Sequence, residues 1–383
     1  MKNISKMHKK TLGRDDFHAL FDVLHALDYK IVGPVVKDGA IVFERVTSPR
    51  QLAAGLIDEQ SPGSYQLTAS DSPRYFDWNT GPQALKPFLF KPRQTLWICD
   101  VDDRNLVFNQ CTVEAEKLAF IGVRACDLAA LALQDKHFLQ GPYQDGFYQA
   151  QREHMLIVAV NCSRSGNQCF CVSTGDGPEA SFYYDIVLDE LDEGFLLDGG
   201  SEKGQQVMAQ LPLTLATAAQ QSRAEQQVKL AAEAQKKKMP RKSLLAGLVK
   251  VLDSERWQAV AERCLACGNC TLVCPTCFCS KQESESDISL ASASQVRLWD
   301  SCFSEDHSYI FGKTVRPTIA SRYKQWLIHK LVAWQQQYGR SGCVGCGRCV
   351  TWCPAAIDLV EEAQLLVNEV NGSEEKTDNG GHG

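Results

Sequence analysis

The sequence lacks several features that would assign it to common classes of protein. No apolar run approaches the roughly twenty residues that a membrane-spanning helix needs. The N-terminal stretch MKNISKMHKKTLGRDDFHALF has neither the apolar core of a signal peptide nor a twin-arginine pair. Positive charge is not in excess, because the net charge is −6, so nothing recommends nucleic acid as a partner. These absences predict a cytoplasmic protein that binds neither membranes nor nucleic acid.

Cysteine, by contrast, is abundant, with 17 residues in a chain of 383. Disulfides are rare in the cytoplasm, so thiols in such number point to metal binding. Apolar residues make up 44% of the chain and charged residues 22%, a balance typical of folded domains rather than disordered chains. The length predicts two or three domains.

Two cysteine runs share the spacing C-x2-C-x2-C-x3-C-P: CLACGNCTLVCP at 264–275 and CVGCGRCVTWCP at 343–354. This spacing lets three thiolates meet neighbouring corners of one cubane cluster, and in two-cluster ferredoxins the fourth cysteine binds the other cluster. Glycines inside the runs allow the backbone to turn closely around the sulfides. The sequence therefore predicts two [4Fe-4S] clusters, the first held by Cys264, Cys267, Cys270 and Cys353 and the second by Cys343, Cys346, Cys349 and Cys274.

Structural zinc is the alternative metal for these runs. Zinc sites usually combine two C-x2-C pairs across a longer gap, because a tetrahedral ion takes ligands from two directions. Each run here has a third cysteine three positions after the second and ends in Cys-Pro. These two features occur in both runs and fit the zinc pattern poorly. The spacing therefore favours iron–sulfur clusters over zinc.

The periodicity predicts an α+β protein. Residues 1–200 are expected to form an α/β domain, because buried strands precede both Cys126 and Cys162. Residues 201–258 are predicted to be a helical linker, rich in Ala, Gln, Lys and Glu. A ferredoxin-like two-cluster module follows at 259–368, and the polar tail at 369–383 is expected to be disordered.

The module contains a long insertion at 281–335, predicted to be helical. Its second half has large side chains at helical spacing, which predicts a helix packed over the clusters. These residues are Tyr323, Trp326, Leu327, Lys330, Leu331 and Trp334. The neighbouring basic residues Arg316, Arg322 and Lys324 are expected to be solvated; the alternative is that they face the clusters.

Further cysteines lie outside the two runs. Cys126, Cys162, Cys169 and Cys171 are candidates for a third cluster, since four is the number that a cubane needs; the alternative is that they are small buried apolar residues. Cys277, Cys279 and Cys302 are expected to line the two-cluster module. The alternative is that they serve as spare ligands for a cluster. Cys99 and Cys111 are interpreted as core residues.

Several segments together resemble a known family. These are GVRACDLAAL, NCSRSGNQCFCVSTGDGP, CLACGNCTLVCPTCFC, LWDSC, SRYKQWLIHKL and CVGCGRCVTWCPAAIDL. They are similar to the iron–sulfur electron-transfer subunits of soluble multi-subunit redox enzymes. The members include the beta subunit of NAD(P)-linked nickel–iron hydrogenases, or sulfhydrogenases, and the iron–sulfur subunit of anaerobic sulfite reductase. The resemblance also favours the third cluster.

The resemblance implies two partners. One is a flavin- and NAD(P)-binding protein, and the other is a catalytic protein that carries either nickel–iron or sirohaem. The chain itself has no GxGxxG or Walker sequence, in agreement with a flavin held by another chain of the complex.

A relay subunit of this kind has no catalytic residue of its own. The competing hypothesis is a self-contained iron–sulfur reductase, which would need an acid or base beside an open iron. His154, His307 and His329 are the nearest candidates for that role. Turnover by the isolated chain would favour this hypothesis over the relay.

Overall fold

The computed structural model describes residues 9–102, 105–112, 115–240, 247–289 and 291–378. Its mixture of helices and strands confirms the α+β class. None of the helices in these ranges is long and apolar enough to cross a membrane.

The strands are β1 (Lys10–Gly13), β2 (Lys30–Lys37), β3 (Ala40–Arg45), β4 (Leu56–Ser61), β5 (Ser64–Ala69), β6 (Arg93–Asp102), β7 (Asn105–Gln110), β8 (Leu118–Val123), β9 (Met155–Val160), β10 (Ile186–Leu191), β11 (Gly194–Gly199), β12 (Thr214–Leu215), β13 (Ser280–Ser286), β14 (Ser292–Trp299), β15 (Tyr309–Ile310) and β16 (Lys313–Thr314). The α-helices are α1 (His18–Ala26), α2 (Lys86–Leu89), α3 (Ala125–Leu139), α4 (Gly146–Glu153), α5 (Cys171–Thr174), α6 (Glu202–Met208), α7 (Ala218–Glu233), α8 (Arg256–Ala261), α9 (Asn269–Leu272), α10 (Ile319–Ile328), α11 (Trp334–Tyr338), α12 (Arg348–Thr351) and α13 (Leu359–Asp378). A π-helix, His329–Ala333, joins α10 to α11.

The larger sheet has eight strands in the order β12-β1-β11-β10-β9-β8-β2-β3. Its centre, β2, β8, β9 and β10, is parallel. Every residue of β8 and β9 is buried, as expected for parallel strands covered on both faces. Because β8 and β9 are parallel neighbours, their carboxyl ends meet at one edge of the sheet. Cys126, in the first turn of α3, and Cys162 follow these two strands at that edge.

The segment predicted to be a helical linker is part of the N-terminal fold. Helices α6 and α7 lie within it, but β12 pairs with β1 and extends the large sheet. The first part of the predicted disordered tail continues helix α13 as far as Asp378. Residues 379–383 lie outside the described residues.

The insertion, predicted to be helical, contains α-helix only from α10 onward. The first half forms β13 and β14, which add to β6 and β7 in a four-stranded antiparallel sheet. Polar residues with no apolar alternation fill β13, SKQESES, so periodicity gave no strand signal there. The second half packs as predicted: Tyr323, Leu327 and Leu331 belong to the apolar core around the cysteine runs.

A buried ion pair joins the N-terminal domain to the second cysteine run. Arg348 lies between Cys346 and Cys349 and is 2% exposed. Its guanidinium donates to both carboxylate oxygens of Asp127, at 2.7 and 3.1 Å, and its Nε donates to the Gly81 carbonyl at 2.8 Å. Arg124 is the N-cap of α3, and Asp127 lies in the first turn of this helix, where its carboxylate faces Arg348.

Replacing Asp127 with Asn should destabilise the protein strongly, because it leaves the buried Arg348 guanidinium without its counter-charge. Loss of one partner of a buried pair costs about 3–5 kcal/mol. The matched control is Glu116→Gln, whose pairs with Lys30 and Arg45 lie at the surface and contribute at most about 1 kcal/mol. Guanidinium unfolding followed by tryptophan fluorescence, under anaerobic conditions, compares the two. Equal and small losses of stability would contradict the role given to this pair.

Candidate metal centres

The first cavity is lined by the four cysteines predicted to hold the first cluster, Cys264, Cys267, Cys270 and Cys353, and also by Cys349 of the second run. The helical part of the insertion covers it with Tyr323 and Trp326. Burial raises the pKa of Cys264, and the thiols of Cys353 and Cys267 add to the effect because they lie close to it. Cys267 is exposed, so the cavity reaches the surface at that point.

Two residues beside this first cavity carry donors that have no hydrogen-bond partner among the described residues. The donors are Nε and Nη1 of Arg322 and the hydroxyl of Tyr323. Arg322 was expected to be solvated but is 4% exposed, and its charge lowers the pKa of Cys264 against the larger effect of burial. Buried donors of this kind are normally satisfied. Thiolate or sulfide acceptors in the cavity would satisfy them.

The second group consists of Cys343, Cys346 and Cys349 with Cys274, which reaches across from the first run. Burial raises the pKa of Cys349, and the nearby thiols of Cys343, Cys346 and Cys274 raise it further. The structure therefore brings together the same four residues that the spacing assigned to the second cluster.

Lys330 is the cation of this second group. It lies in the π-helix, and its Nζ donates to the Cys274 Sγ at 3.1 Å, to the Thr276 hydroxyl at 3.0 Å and to the Gly342 carbonyl at 2.9 Å. Burial is the largest influence and would raise the pKa of Cys274, but the charge and hydrogen bond of Lys330 together with the Thr276 hydroxyl outweigh it, so that the pKa lies below its ordinary value. The site therefore favours an anionic sulfur at Cys274.

The N-terminal cysteines form a third group, which packs against the second. Burial raises the pKa of Cys169, and the thiols of Cys171 and Cys162 raise it further because they lie close to it. These three thiols are therefore neighbours. Cys126 lies near Cys346 and Cys171, which add to the effect of burial on its pKa. All four candidates for a third cluster are thus collected at one edge of the large sheet.

The backbone fixes the position of this third group against the second run. The Phe170 N–H donates to the Gly345 carbonyl at 2.8 Å. Gly345 has φ +67°, and a Cβ there would lie 2.5 Å from the Cys171 nitrogen, so only glycine fits. Arg124, buried beside Cys162, supplies positive charge, and its Nε has no partner among the described residues.

The remaining cysteines separate into two kinds. Cys99 is buried within β6 and Cys111 is half-buried after β7, as expected for residues outside any metal group. Cys277, Cys279 and Cys302 line a further cavity together with Cys274.

The three histidines proposed for a self-contained reductase are dispersed. His154 is exposed and bonds to the Ala150 carbonyl. His307 pairs with Asp300. His329 lines the cavity with Cys277 and Cys279. The histidines therefore do not converge on one site.

In the described part of the chain, no three His, Cys, Asp or Glu side chains converge closely enough to hold one metal ion. A cubane separates its ligands further than a single ion does, because each thiolate binds a different iron.

Comparison with known proteins agrees with this chemistry. Residues 263–357 match the family model of a 4Fe-4S dicluster domain, a match that supports iron–sulfur clusters in the two cysteine runs. No solved structure is significantly similar to the chain.

A curated relative extends the similarity beyond the clusters. Sulfhydrogenase 2 subunit beta of Pyrococcus furiosus is 30% identical over 339 residues, which cover 87% of this chain and 90% of the relative. The similarity therefore includes the N-terminal domain as well as the dicluster domain. The chain belongs to the sulfhydrogenase beta-subunit family of iron–sulfur electron-transfer subunits.

Proposed function

We propose that this chain relays electrons through [4Fe-4S] clusters between a flavin- and NAD(P)-binding subunit and the catalytic subunit of a sulfhydrogenase-type hydrogenase. The observation that carries the proposal is the arrangement of the thiols. The three groups are neighbours: Cys270 of the first lies near Cys349 of the second, and Cys346 of the second lies near Cys126 of the N-terminal group. Cys267 of the first group is exposed. A relay needs closely spaced centres and an end at the surface, and this series supplies both.

The ligand sets follow from the groups. The first cluster takes Cys264, Cys267, Cys270 and Cys353, and the second takes Cys343, Cys346, Cys349 and Cys274. The two sets lie close to each other. Burial raises the pKa of Cys270, and the nearby thiol of Cys349, which belongs to the other set, raises it further. The clusters supply one-electron chemistry when bound. The surrounding residues exclude water and provide donors to sulfur.

A third cluster at Cys126, Cys162, Cys169 and Cys171 extends the relay into the N-terminal domain. The position of Arg124 supports it, because an anionic sulfur at Cys162 would be stabilised by this buried guanidinium, whose Nε–H has no partner among the described residues. Contact between Cys171 and the Gly345 turn keeps this site next to the second cluster.

The catalytic partner is inferred from the relative's name, which refers to a hydrogenase. The iron–sulfur subunit of an anaerobic sulfite reductase would serve as the same relay, so the two partners predict different metals in the purified complex. Nickel in the complex isolated with this chain would support a hydrogenase as the catalytic partner. Sirohaem in that complex would instead support a sulfite reductase. The dispersed histidines argue against a self-contained reductase.

Cys346→Ser should remove the second cluster and stop electron flow from NAD(P)H to the catalytic subunit of the assembled complex. Reduction of an artificial acceptor by the flavin subunit should persist, because that step precedes the relay. Both rates are measured on the same preparation, with Cys111→Ser as the control outside the thiol groups. Wild-type overall turnover in the Cys346 variant would show that the relay assignment is wrong.

Lys330→Gln should lower the reduction potential of the second cluster, because the reduced, more negative form loses a nearby positive charge. A unit charge at roughly 8 Å contributes about 2 kcal/mol at an effective dielectric constant of about 20, and 59 mV corresponds to about 1.4 kcal/mol for one electron. We therefore expect a decrease on the order of 60–90 mV.

The potential is measured by a redox titration monitored by electron paramagnetic resonance. Lys324→Gln is the matched control, because Lys324 lies on the adjoining helix α10 but bonds to the Leu252 carbonyl. A similar shift in both variants, or none in Lys330→Gln, contradicts the role of Lys330.

The double change Cys169→Ala and Cys171→Ala should lower iron by about four atoms per chain, from about twelve for three clusters. Residues 160–180 should also become more sensitive to proteolysis, because the cluster holds a loop with little apolar content. The resonance signal of the two clusters at 264–353 should remain. If reconstituted wild-type protein saturates at about eight irons, these cysteines do not bind a cluster and their role is structural.

A further inference from the structure

Cys277, Cys279 and Cys302 lie outside the three groups of the relay, yet the fold brings their side chains together. The thiol of Cys279 is within hydrogen-bonding reach of both Cys277 and Cys302. All three line one cavity, where they are free, half-buried thiols. Sulfur atoms this close need only a small movement to form a disulfide. The group is therefore suited to thiol–disulfide chemistry.

The strands of the insertion place Cys302 beside Cys279. β13 and β14 pair along their whole length, and the pairing continues one step further, since the Asp300 N–H donates to the Cys279 carbonyl at 3.0 Å. Thr271 of the first cysteine run donates to the Ser301 hydroxyl at 2.8 Å, which fixes the residue before Cys302. The end of the hairpin thus holds these two thiols side by side.

Phe278 fixes the other side of the thiol group. Its ring stacks on His137 of α3 at 3.5 Å between centroids and on Trp334 at 5.4 Å. These contacts anchor the residue between Cys277 and Cys279 in an aromatic cluster. Because the backbone is held on both sides, a bond between the thiols can form and break through side-chain movement alone.

Cys277 connects this pair of thiols to a predicted ligand of each cluster in the dicluster domain. Burial raises the pKa of Cys270, and Cys277 is among the nearby thiols that raise it further. Burial also acts to raise the pKa of Cys274, and Cys277 adds to that effect against the opposing influence of Lys330. A disulfide takes up two electrons, whereas a cluster supplies one at a time. A thiol group next to two clusters is therefore in a position to receive both electrons.

A buried cation lies against the same thiols. Lys86 is 6% exposed and donates to the carbonyls of Thr271, Leu272 and Cys274. Burial lowers the pKa of Lys86, and Cys277 is the thiol that opposes this most strongly. No carboxylate of the described residues pairs with it. Cleavage of a disulfide releases a thiolate, and a positive charge nearby stabilises that anion.

We propose that Cys279 and Cys302 form a redox-active dithiol–disulfide pair beside the two clusters, with Cys277 between the pair and the cluster ligands. Reduction breaks the S–S bond, takes one electron from each of two clusters and two protons from water, and leaves two thiols; oxidation is the reverse. The proposal rests on the proposed function, because the clusters of the relay supply the electrons. Such a pair lets a relay of one-electron centres store electrons two at a time.

The first test looks for the bond in the full-length chain, reconstituted anaerobically with ferrous iron and sulfide and equilibrated with mixtures of glutathione and glutathione disulfide. Acid quenching and alkylation precede digestion with trypsin. A bond between Cys279 and Cys302 joins the tryptic peptides 264–281 and 298–313. Mass spectrometry should detect the joined peptides in oxidising mixtures and lose them in reducing ones.

Single variants identify the residues in the bond. Cys279→Ser and Cys302→Ser should each abolish the joined peptides, whereas Cys277→Ser should retain them. Cys99→Ser is the matched control, because Cys99 is a buried cysteine of β6 outside every thiol group. Joined peptides that persist in Cys279→Ser and disappear in Cys277→Ser overturn the assignment of the pair.

The second test counts electrons. In an anaerobic titration with dithionite, starting from oxidised protein of equal iron content, the wild type should accept about two more electrons per chain than Cys279→Ser or Cys302→Ser. The Cys99→Ser control should match the wild type. No joined peptides in the wild type at any glutathione ratio, or equal electron uptake in the wild type and both variants, overturns the proposal.

The third test examines the source of the electrons. In the assembled complex NAD(P)H should remove the joined peptides, and Cys346→Ser should prevent this because it interrupts the relay. Joined peptides that persist under NAD(P)H in a complex with normal turnover overturn the proposal. A complex that holds its clusters but does not turn over contradicts the relay instead, and the glutathione and dithionite tests on the isolated chain still decide whether the pair exists.

Discussion

The need to balance anionic sulfur inside a dry interior determines how this protein is built. Apart from Cys267, the thiols of the metal groups are buried or half-buried, and a buried thiolate needs a positive charge or N–H donors beside it. Each group has such a residue. Arg322 lies by the first, Lys330 by the second, Arg124 by the N-terminal cysteines and Lys86 by Cys277. These cations come from different elements, so the groups form only when the whole chain is folded.

The same constraint explains why the N-terminal domain and the dicluster domain are not independent. Arg348 belongs to the second cysteine run, yet its counter-charge, Asp127, follows a strand of the large sheet. The Gly345 turn packs directly against Phe170 and Cys171. The strands of the insertion complete a sheet begun by β6. The thiol groups of both domains are therefore held at fixed separations.

The π-helix shows how local geometry serves this arrangement. Lys330 lies beside the buried apolar residues Leu327 and Leu331, where an unpaired ammonium is unfavourable. The single wide turn, His329–Ala333, lies where Lys330 reaches Cys274, Thr276 and the Gly342 carbonyl. Such turns are frequent at functional sites. The lysine in the apolar stripe was therefore a signal in the sequence, although its partner was not.

Sequence alone was sufficient for the type of cluster in the dicluster domain and for the buried strands before Cys126 and Cys162. These features are local, because they depend on spacing within one run or on a short apolar stretch. Three features could not be predicted in the same way. They are the polar strand β13, the strand β12 and the burial of Arg322, whose basic neighbours suggest a solvated segment. Tertiary packing decides which cation faces which thiol, and it also brings Cys279 next to Cys302. These contacts join residues far apart in the chain, so they leave no periodic pattern in the sequence.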